Sequence, residues 1–129
     1  MTEHVLLIEP DRILADQYQQ ALEAVDITVS RANDGHRAIA MIDKQLPAVV
    51  ILELQLGTHN GIEFLYELRS YTDSAALPVV ILSDVEPESV RQAIGYKQLQ
   101  IAAHLYKPQT SLARLQQTII DLIDSKPVK

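Results

Sequence analysis

The sequence predicts an α/β protein, a three-layer, doubly wound sandwich with helices on both faces of a five-stranded parallel sheet. The run 48–53 follows Pro47 with four large apolar residues, which indicates a strand buried on both faces. Two similar apolar runs lie at 5–8 and 79–82. Strand-like and helix-like segments alternate along the chain, and right-handed crossovers place such helices on both faces of one sheet.

Composition excludes several classes of protein. The 129 residues are 47% hydrophobic and 22% charged, which is ordinary for one globular domain. The absence of cysteine excludes a disulfide scaffold and a thiolate metal site. The net charge of −6, without a basic cluster, argues against direct nucleic-acid binding. No signal peptide or membrane span is predicted, so we expect a cytoplasmic, soluble protein that does not bind membranes.

In the first half of the chain, the strand at 5–8 ends before Pro10, and Asp11 is predicted to cap a helix that reaches about Val25. The alternating segment 27–31 predicts an edge strand. A turn and cap at 33–35 begin a second helix that ends near Gln45. The apolar face of the first helix is predicted to consist of Ile13, Leu14, Tyr18, Ala21, Leu22 and Val25.

The middle of the chain continues the alternation. A loop at 57–61 precedes a third helix, in which Tyr66 is expected to pack, as is Tyr71 just after it. A polar connection over 71–77 leads to the buried strand 79–82. His59, in the loop, is expected to face solvent. A fourth helix is predicted to begin at Pro87 and to reach about Gln98.

The last part predicts a short fifth strand at 101–105 and a final helix capped by Thr110 or Ser111. We assign residues 1–124 to one domain and 125–129 to a tail or the start of a linker. The inner side of the last helix is predicted to consist of Leu112, Leu115, Ile119, Leu122 and Ile123.

The first, third and fourth strands are the apolar ones, so a central trio and the flavodoxin-like order 2-1-3-4-5 are expected. Polar side chains then gather where the strands end, at the carboxyl edge of the sheet. Carboxylates with a backbone carbonyl suit Mg²⁺, while a hydroxyl and an ammonium suit phosphoryl oxygens. These residues are Glu9, Asp11, Glu53, Ser83, Asp84 and Lys107.

The segments 5–11, 49–61, 78–83 and 105–108 resemble, over essentially the whole chain, the receiver domain of bacterial two-component response regulators. In that family an aspartate ending the third strand accepts a phosphoryl group from a histidine kinase. Two acids ending the first strand, with a backbone carbonyl, hold Mg²⁺. A Ser or Thr ending the fourth strand and a lysine contact the phosphoryl group.

The resemblance assigns Ser83 and Lys107 to the phosphoryl contacts and His104 to a switch position on the fifth strand. Ser83 would share that switch role. Glu53 stands where the phosphoacceptor aspartate belongs. The metal ligands implied are Glu9, Glu53 and the backbone of Gln55. Pro10 replaces the second acid of the metal site, which weakens it.

These departures lead to the hypothesis of an atypical, phosphorylation-independent receiver in two-component signalling, with no enzymatic activity and no required cofactor. Glu53 would pair with Lys107, near Glu9, and like-charged neighbours would raise one carboxylate's pKa while Lys107 opposes the rise. A plain structural ion pair is the simplest alternative. Another is a working phosphorelay receiver with a weakened Mg²⁺ site or an unusual acceptor, either Asp11, Asp84 or Glu53 itself.

The resemblance also implies protein partners, namely a histidine kinase, an effector domain or another receiver. Docking or homodimer formation would use the face of the fourth helix, fifth strand and fifth helix. That face is predicted to present Arg91, Ile94, Tyr96, His104, Arg114 and Gln117.

Overall fold

A computed structural model describes residues 3–57, 59–93 and 99–125 of the chain. In this part the strands form one parallel sheet in the order β2-β1-β3-β4-β5, which confirms the predicted order and fold class. None of the described helices is long and apolar enough to cross a membrane. The strands are β1 (Glu3–Ile8), β2 (Ile27–Ala32), β3 (Val49–Leu52), β4 (Val79–Ser83) and β5 (Ile101–Tyr106).

The helices cover both faces of the sheet, because successive strand residues point to opposite sides. Leu6 and Ile8 of β1 pack in a cluster with α2, α3 and α4. Val5 and Leu7 pack in a second cluster with α1 and α5. The helices are α1 (Arg12–Glu23), α2 (Gly35–Lys44), α3 (Gly61–Ser70), α4 (Pro87–Ala93) and α5 (Leu112–Asp124).

Side-chain caps fix where the helices begin. Asp11 accepts from the N–H groups of Ile13 and Leu14 and caps α1, as predicted. Ser111 accepts from the N–H of Arg114 and caps α5. The two candidates for that cap are thereby resolved, since the Thr110 hydroxyl instead donates to the carbonyl of Tyr106.

Several predictions of packing were wrong. Ile13 is 72% exposed and Leu112 is 43% exposed. Each lies in the first turn of its helix, at the carboxyl edge of the sheet. The apolar periodicity extends into this turn, but the side chain there is not covered by the rest of the protein. Tyr66 and Tyr71 are also exposed. The Tyr71 hydroxyl donates to Glu67, so its polar tip rather than its ring finds a partner.

Some segments differ in extent from their predictions. The polar connection contains a short 3-10 helix, Thr72–Ser74, and another, Lys107–Gln109, follows β5. The α4 helix is described only to Ala93, so the predicted end near Gln98 lies outside the described residues. So do Ile94 and Tyr96 of the predicted docking face, and most of the tail.

Arg69, at the end of α3, forms hydrogen bonds with the segments that precede β4 and β5. Its guanidinium donates to the carbonyls of Ser74 and Leu77 before β4, and to those of Leu99 and Gln100 before β5. Burial lowers the pKa of Arg69. The planar guanidinium compensates for its burial by donating to four carbonyl oxygens. No pattern in the sequence predicts this role for Arg69.

Candidate functional site

The carboxyl edge of the sheet brings four predicted site residues together. Ile8 and Leu52 are register partners in β1 and β3, so the residues that follow them, Glu9 and Glu53, stand side by side. Ser83 ends β4 and pairs with Tyr106 of β5. The next residue, Lys107, therefore enters the same edge from the far side of β4.

Lys107 bridges the two carboxylates. Its Nζ atom lies 2.6 Å from Oε1 of Glu53 and 2.7 Å from Oε1 of Glu9. All three side chains are at most 9% exposed, so these contacts are shielded from water. The predicted ion pair is present, and Glu9 is a full member of it. We call Glu9, Glu53 and Lys107 the ion triad.

The second oxygen of Glu53 is also engaged. Oε2 accepts a hydrogen bond from the Ser83 hydroxyl and another, at 3.0 Å, from the N–H of Gln55. Ser83 Oγ in turn accepts from the N–H of Val85. The Glu53 carboxylate therefore has partners at the ends of two other strands, β4 and β5, and on the loop that follows it.

The β1–α1 turn completes the surroundings of Glu9. Its Oε2 accepts from the N–H of Asp11, while the Asp11 carboxylate points to the helix that it caps. Pro10 is exposed between them, and Asp84 is exposed beside Ser83. Among the described residues, neither the Asp11 carboxylate nor the Asp84 carboxylate is hydrogen-bonded to a side chain of the ion triad.

Burial and charge shift the titration of the triad. Burial raises the pKa of the Glu9 carboxyl, the hydrogen bonds from Lys107 and the Asp11 N–H oppose this, and the charge of Glu53 adds a smaller rise. Burial alone would lower the pKa of Lys107, but hydrogen bonds to Glu53 and Glu9 outweigh it and raise that pKa. A carboxylate pKa is thus raised as predicted, although desolvation, not the like charge, is the main cause.

His104, the predicted switch residue, is half-buried on β5. Its Nε2 lies 2.9 Å from the carbonyl oxygen of Val85, to which a ring N–H donates. Burial lowers the His104 pKa, which favours the neutral ring. Val85 also donates its N–H to Ser83, so one loop residue contacts both predicted switch positions.

The loop after β3 is fixed by two contacts that the sequence analysis missed. His59 is not simply solvent-facing, because its Nε2 accepts from the N–H of Gly35 at the start of α2. Its ring also lies 5.1 Å from that of His36. Gly61 lets α3 start close to the strand, since a Cβ there would meet the Leu54 Cα at 2.9 Å. No spacing pattern indicates the His59 contact.

The predicted metal ligands are placed as follows. Glu9 and Glu53 face each other across Lys107, and Gln55 follows Glu53 with its N–H turned to that carboxylate. Within the described ranges, no group of three or more His, Asp or Glu side chains is arranged to hold a metal ion.

Comparison with known proteins agrees with this fold. The response regulator receiver domain family matches residues 5–120. The chain belongs to this family. Domains of this kind act in two-component signalling and interact with kinases and effector domains.

Curated relatives share this domain within longer chains. "Probable transcriptional regulatory protein TcrX" of Mycobacterium tuberculosis is 34% identical over 79 residues, which cover 61% of this chain and 33% of that protein. The protein-glutamate methylesterase/protein-glutamine glutaminase of Treponema denticola is 27% identical over 109 residues, covering 83% of this chain and 29% of that protein. The chain thus spans about a third of the length of these relatives.

Among solved structures, the receiver domain of a sensor histidine kinase from Pseudomonas aeruginosa superposes with a TM-score of 0.84 at 20% identity. The match covers 97% of this chain and 100% of that one. That structure holds a magnesium ion in its active-site cleft. At this identity the likeness supports the fold.

Proposed function

We propose that this chain is a phosphorylation-independent receiver, which regulates a partner protein through a constant surface rather than by cycling through a phosphorylated form. The observation that carries the proposal is the engagement of Glu53. One oxygen is bound by Lys107 and the other by Ser83 and Gln55, and the residue is 4% exposed. A carboxylate must present a free oxygen in line with the phosphorus atom to accept a phosphoryl group.

Glutamate at this position also supports the proposal by its length. The extra methylene moves the carboxylate outward, where it contacts Ser83 and Lys107 directly. These are the residues that contact the phosphoryl group in the family. Glu53 thus makes with its own oxygens the contacts that an acyl phosphate would make.

The donor set does not fit Mg²⁺. This ion demands near-octahedral oxygen coordination, usually with carboxylates and several waters. Glu9 and Glu53 are the two carboxylates at hand, each gives an oxygen to Lys107, and Pro10 supplies none. We therefore propose that the chain works without a metal cofactor, and we assign it no enzymatic turnover.

The proposed partner surface lies on α4, β5 and α5. A cleft of about 520 Å³ there is lined by residues that include Arg91, His104 and Arg114. Arg91 and Arg114 line this cleft together with Glu86 and Glu88, and this mixed charge suits a complementary mixed surface of a histidine kinase, an effector domain or a second receiver. For a homodimer, Arg114→Glu should lower the dimer fraction in sedimentation velocity, whereas equal sedimentation of both forms as monomers would contradict it.

Incubation with acetyl phosphate and MgCl₂, followed by intact-mass measurement, tests the central proposal. We expect no phosphoryl adduct on the native chain. The Pro10→Asp/Glu53→Asp variant, which shortens the acceptor and returns the missing acid, should gain one. A stoichiometric adduct on the native chain would refute the proposal, and peptide mapping would then assign it to Glu53, Asp11 or Asp84.

A further inference from the structure

A second polar cleft lies beside the ion triad, on the other side of the β1–α1 turn. We call it the arginine pocket, and its lining includes Pro10, Arg12, Arg31, Asn33 and Arg37. Its volume is about 370 Å³, within the range of roughly 300–1,000 Å³ that small-ligand sites occupy. The start of α1, the end of β2 and the first turn of α2 each contribute one arginine.

The arginine pocket is lined by positive charge, although the chain as a whole is negatively charged. The protein has a net charge of −6 and 11 lysines and arginines in total, yet three arginines line this one cleft. Arg31 is held by Asp16, 2.5 Å away, and by Gln19. In the part of the chain that the structure describes, neither Arg12 nor Arg37 has a carboxylate within ion-pair distance.

The one acidic residue of the lining makes no ion pair with these arginines. Glu9 borders the pocket, but Lys107 binds one of its oxygens and the Asp11 N–H binds the other. Pro10, between the two acids, adds no charge. Among the residues that the structure describes, the pocket therefore presents two exposed guanidinium groups that form no ion pair with a carboxylate.

The positions of Arg12 and Arg37 are mildly unfavourable for the helices that carry them. Arg12 is the first residue of α1 and Arg37 the third of α2. A cation in the first turn interacts unfavourably with the helix dipole. Two arginines in such positions, around one cleft, are accounted for if they bind an anion there.

We propose that the arginine pocket binds the phosphoryl group of a small phosphorylated molecule, with Arg12 and Arg37 as its ligands. Guanidinium groups bind phosphoryl oxygens through paired N–H donors. The pocket exceeds the size of a phosphate ion, which leaves room for the body of an ester. The bound ligand would contact the Pro10 turn and so reach Glu9. This inference stands whether or not Glu53 accepts a phosphoryl group.

Titration with sodium pyrophosphate, and separately with glucose 6-phosphate, tests the site at constant ionic strength. Backbone amides and arginine Nε–H groups are followed by NMR. We expect saturable shifts at Arg12, Asn33 and Arg37. Arg12→Gln or Arg37→Gln should weaken binding about tenfold or more. Arg37→Lys keeps the positive charge but loses the paired N–H donors of the guanidinium, so it should also weaken binding. Arg114→Gln, on the opposite side of the site, is the matched control.

The two probes separate the sources of the phosphoryl group. Tighter binding of the ester supports a metabolite, and tighter binding of pyrophosphate supports an inorganic phosphate. Three results would overturn the proposal. These are no saturable shift at millimolar probe, equal weakening by Arg114→Gln, or shifts centred on Ser83 and Lys107. The last would place the anion in the ion triad, and the acetyl phosphate experiment remains independent of it.

Discussion

Lys107 Nζ lies 2.6 Å from Glu53 Oε1, and this contact crosses the end of β4 to join the third and fifth strands. The same ammonium binds Glu9, so one cation serves two buried carboxylates. Such an arrangement is more sensitive to loss of the shared partner than to loss of either acid, because two charges would then be left unpaired.

Replacement of Lys107 by methionine should therefore be severe. We expect a loss of about 3–5 kcal/mol in the free energy of unfolding at pH 7, because Glu9 and Glu53 remain buried without a cation. Since the Glu9 pKa is already raised, the loss should shrink as the pH falls and Glu9 takes up a proton. Urea denaturation at pH 7 and pH 5 measures both effects. Lys44→Met, at an exposed lysine, should change stability by less than about 0.5 kcal/mol.

A neutral version of the triad should reveal its pH dependence. The raised pKa of Lys107 means that its stabilisation is present below its ordinary value of about 10.4 and is lost as the pH rises beyond it. The variant Glu9→Gln/Glu53→Gln/Lys107→Met lacks this contribution. We expect it to retain native-like stability at pH 7 and to lose less stability than the native chain between pH 9 and pH 11.5. Equal slopes of stability against pH for both proteins would contradict this account.

Removal of the Ser83 hydroxyl tests the other side of Glu53. Ser83→Ala takes away a donor to the buried carboxylate and an acceptor for the Val85 N–H. We expect a cost of about 1–3 kcal/mol in thermal or urea unfolding. Ser70→Ala, where an exposed hydroxyl donates to the carbonyl of Glu67, provides the control and should cost much less. A similar cost at both sites would mean that the Glu53 contact contributes little.

The contact between Gly35 and His59 predicts coupling between the start of α2 and the loop after β3. A Cβ at Gly35 would meet His59 Nε2 at 2.7 Å, so Gly35→Ala should destabilise the protein by about 1–3 kcal/mol. His59→Ala removes that obstacle, and the double variant should cost less than the sum of the single ones by at least about 0.5 kcal/mol. Chemical denaturation of the four proteins measures the coupling. Gly35→Ala combined with the distant Ser70→Ala should be additive.

Apolar runs and polar residues at the strand ends predicted the strand order and the gathering of Glu53 and Lys107 at one edge, whereas the direct pairing of the two was an expectation from the family resemblance. The strand order and the gathering follow from rules that act along the chain, such as apolar runs and the shared carboxyl edge of parallel strands. The same rules wrongly predicted that Ile13 and Leu112 are buried. An apolar periodicity shows which face of a helix is apolar, but not where along the helix its packing against the rest of the protein ends. That boundary depends on packing between elements.

Side-chain contacts with backbone groups of distant segments could not be predicted from the sequence. His59 accepts from Gly35 and Arg69 donates to four carbonyls, and in both cases one partner is a backbone group. A backbone group carries no sequence signal, so only the fold could pair it. Glu9 was expected to lie near Lys107, but not to bind it as closely as Glu53 does. Whether both carboxylates can reach the same ammonium depends on the register between β1 and β3, which the sequence does not give.

The ion triad also bears on how the chain is made. Synthesis from the N-terminus produces Glu9 and Glu53 long before Lys107 leaves the ribosome. Until then the first three strands carry two acids at an edge that later becomes buried, with no cation to neutralise them. That repulsion disfavours burial of this edge of the sheet until the fifth strand has brought Lys107 to the two acids.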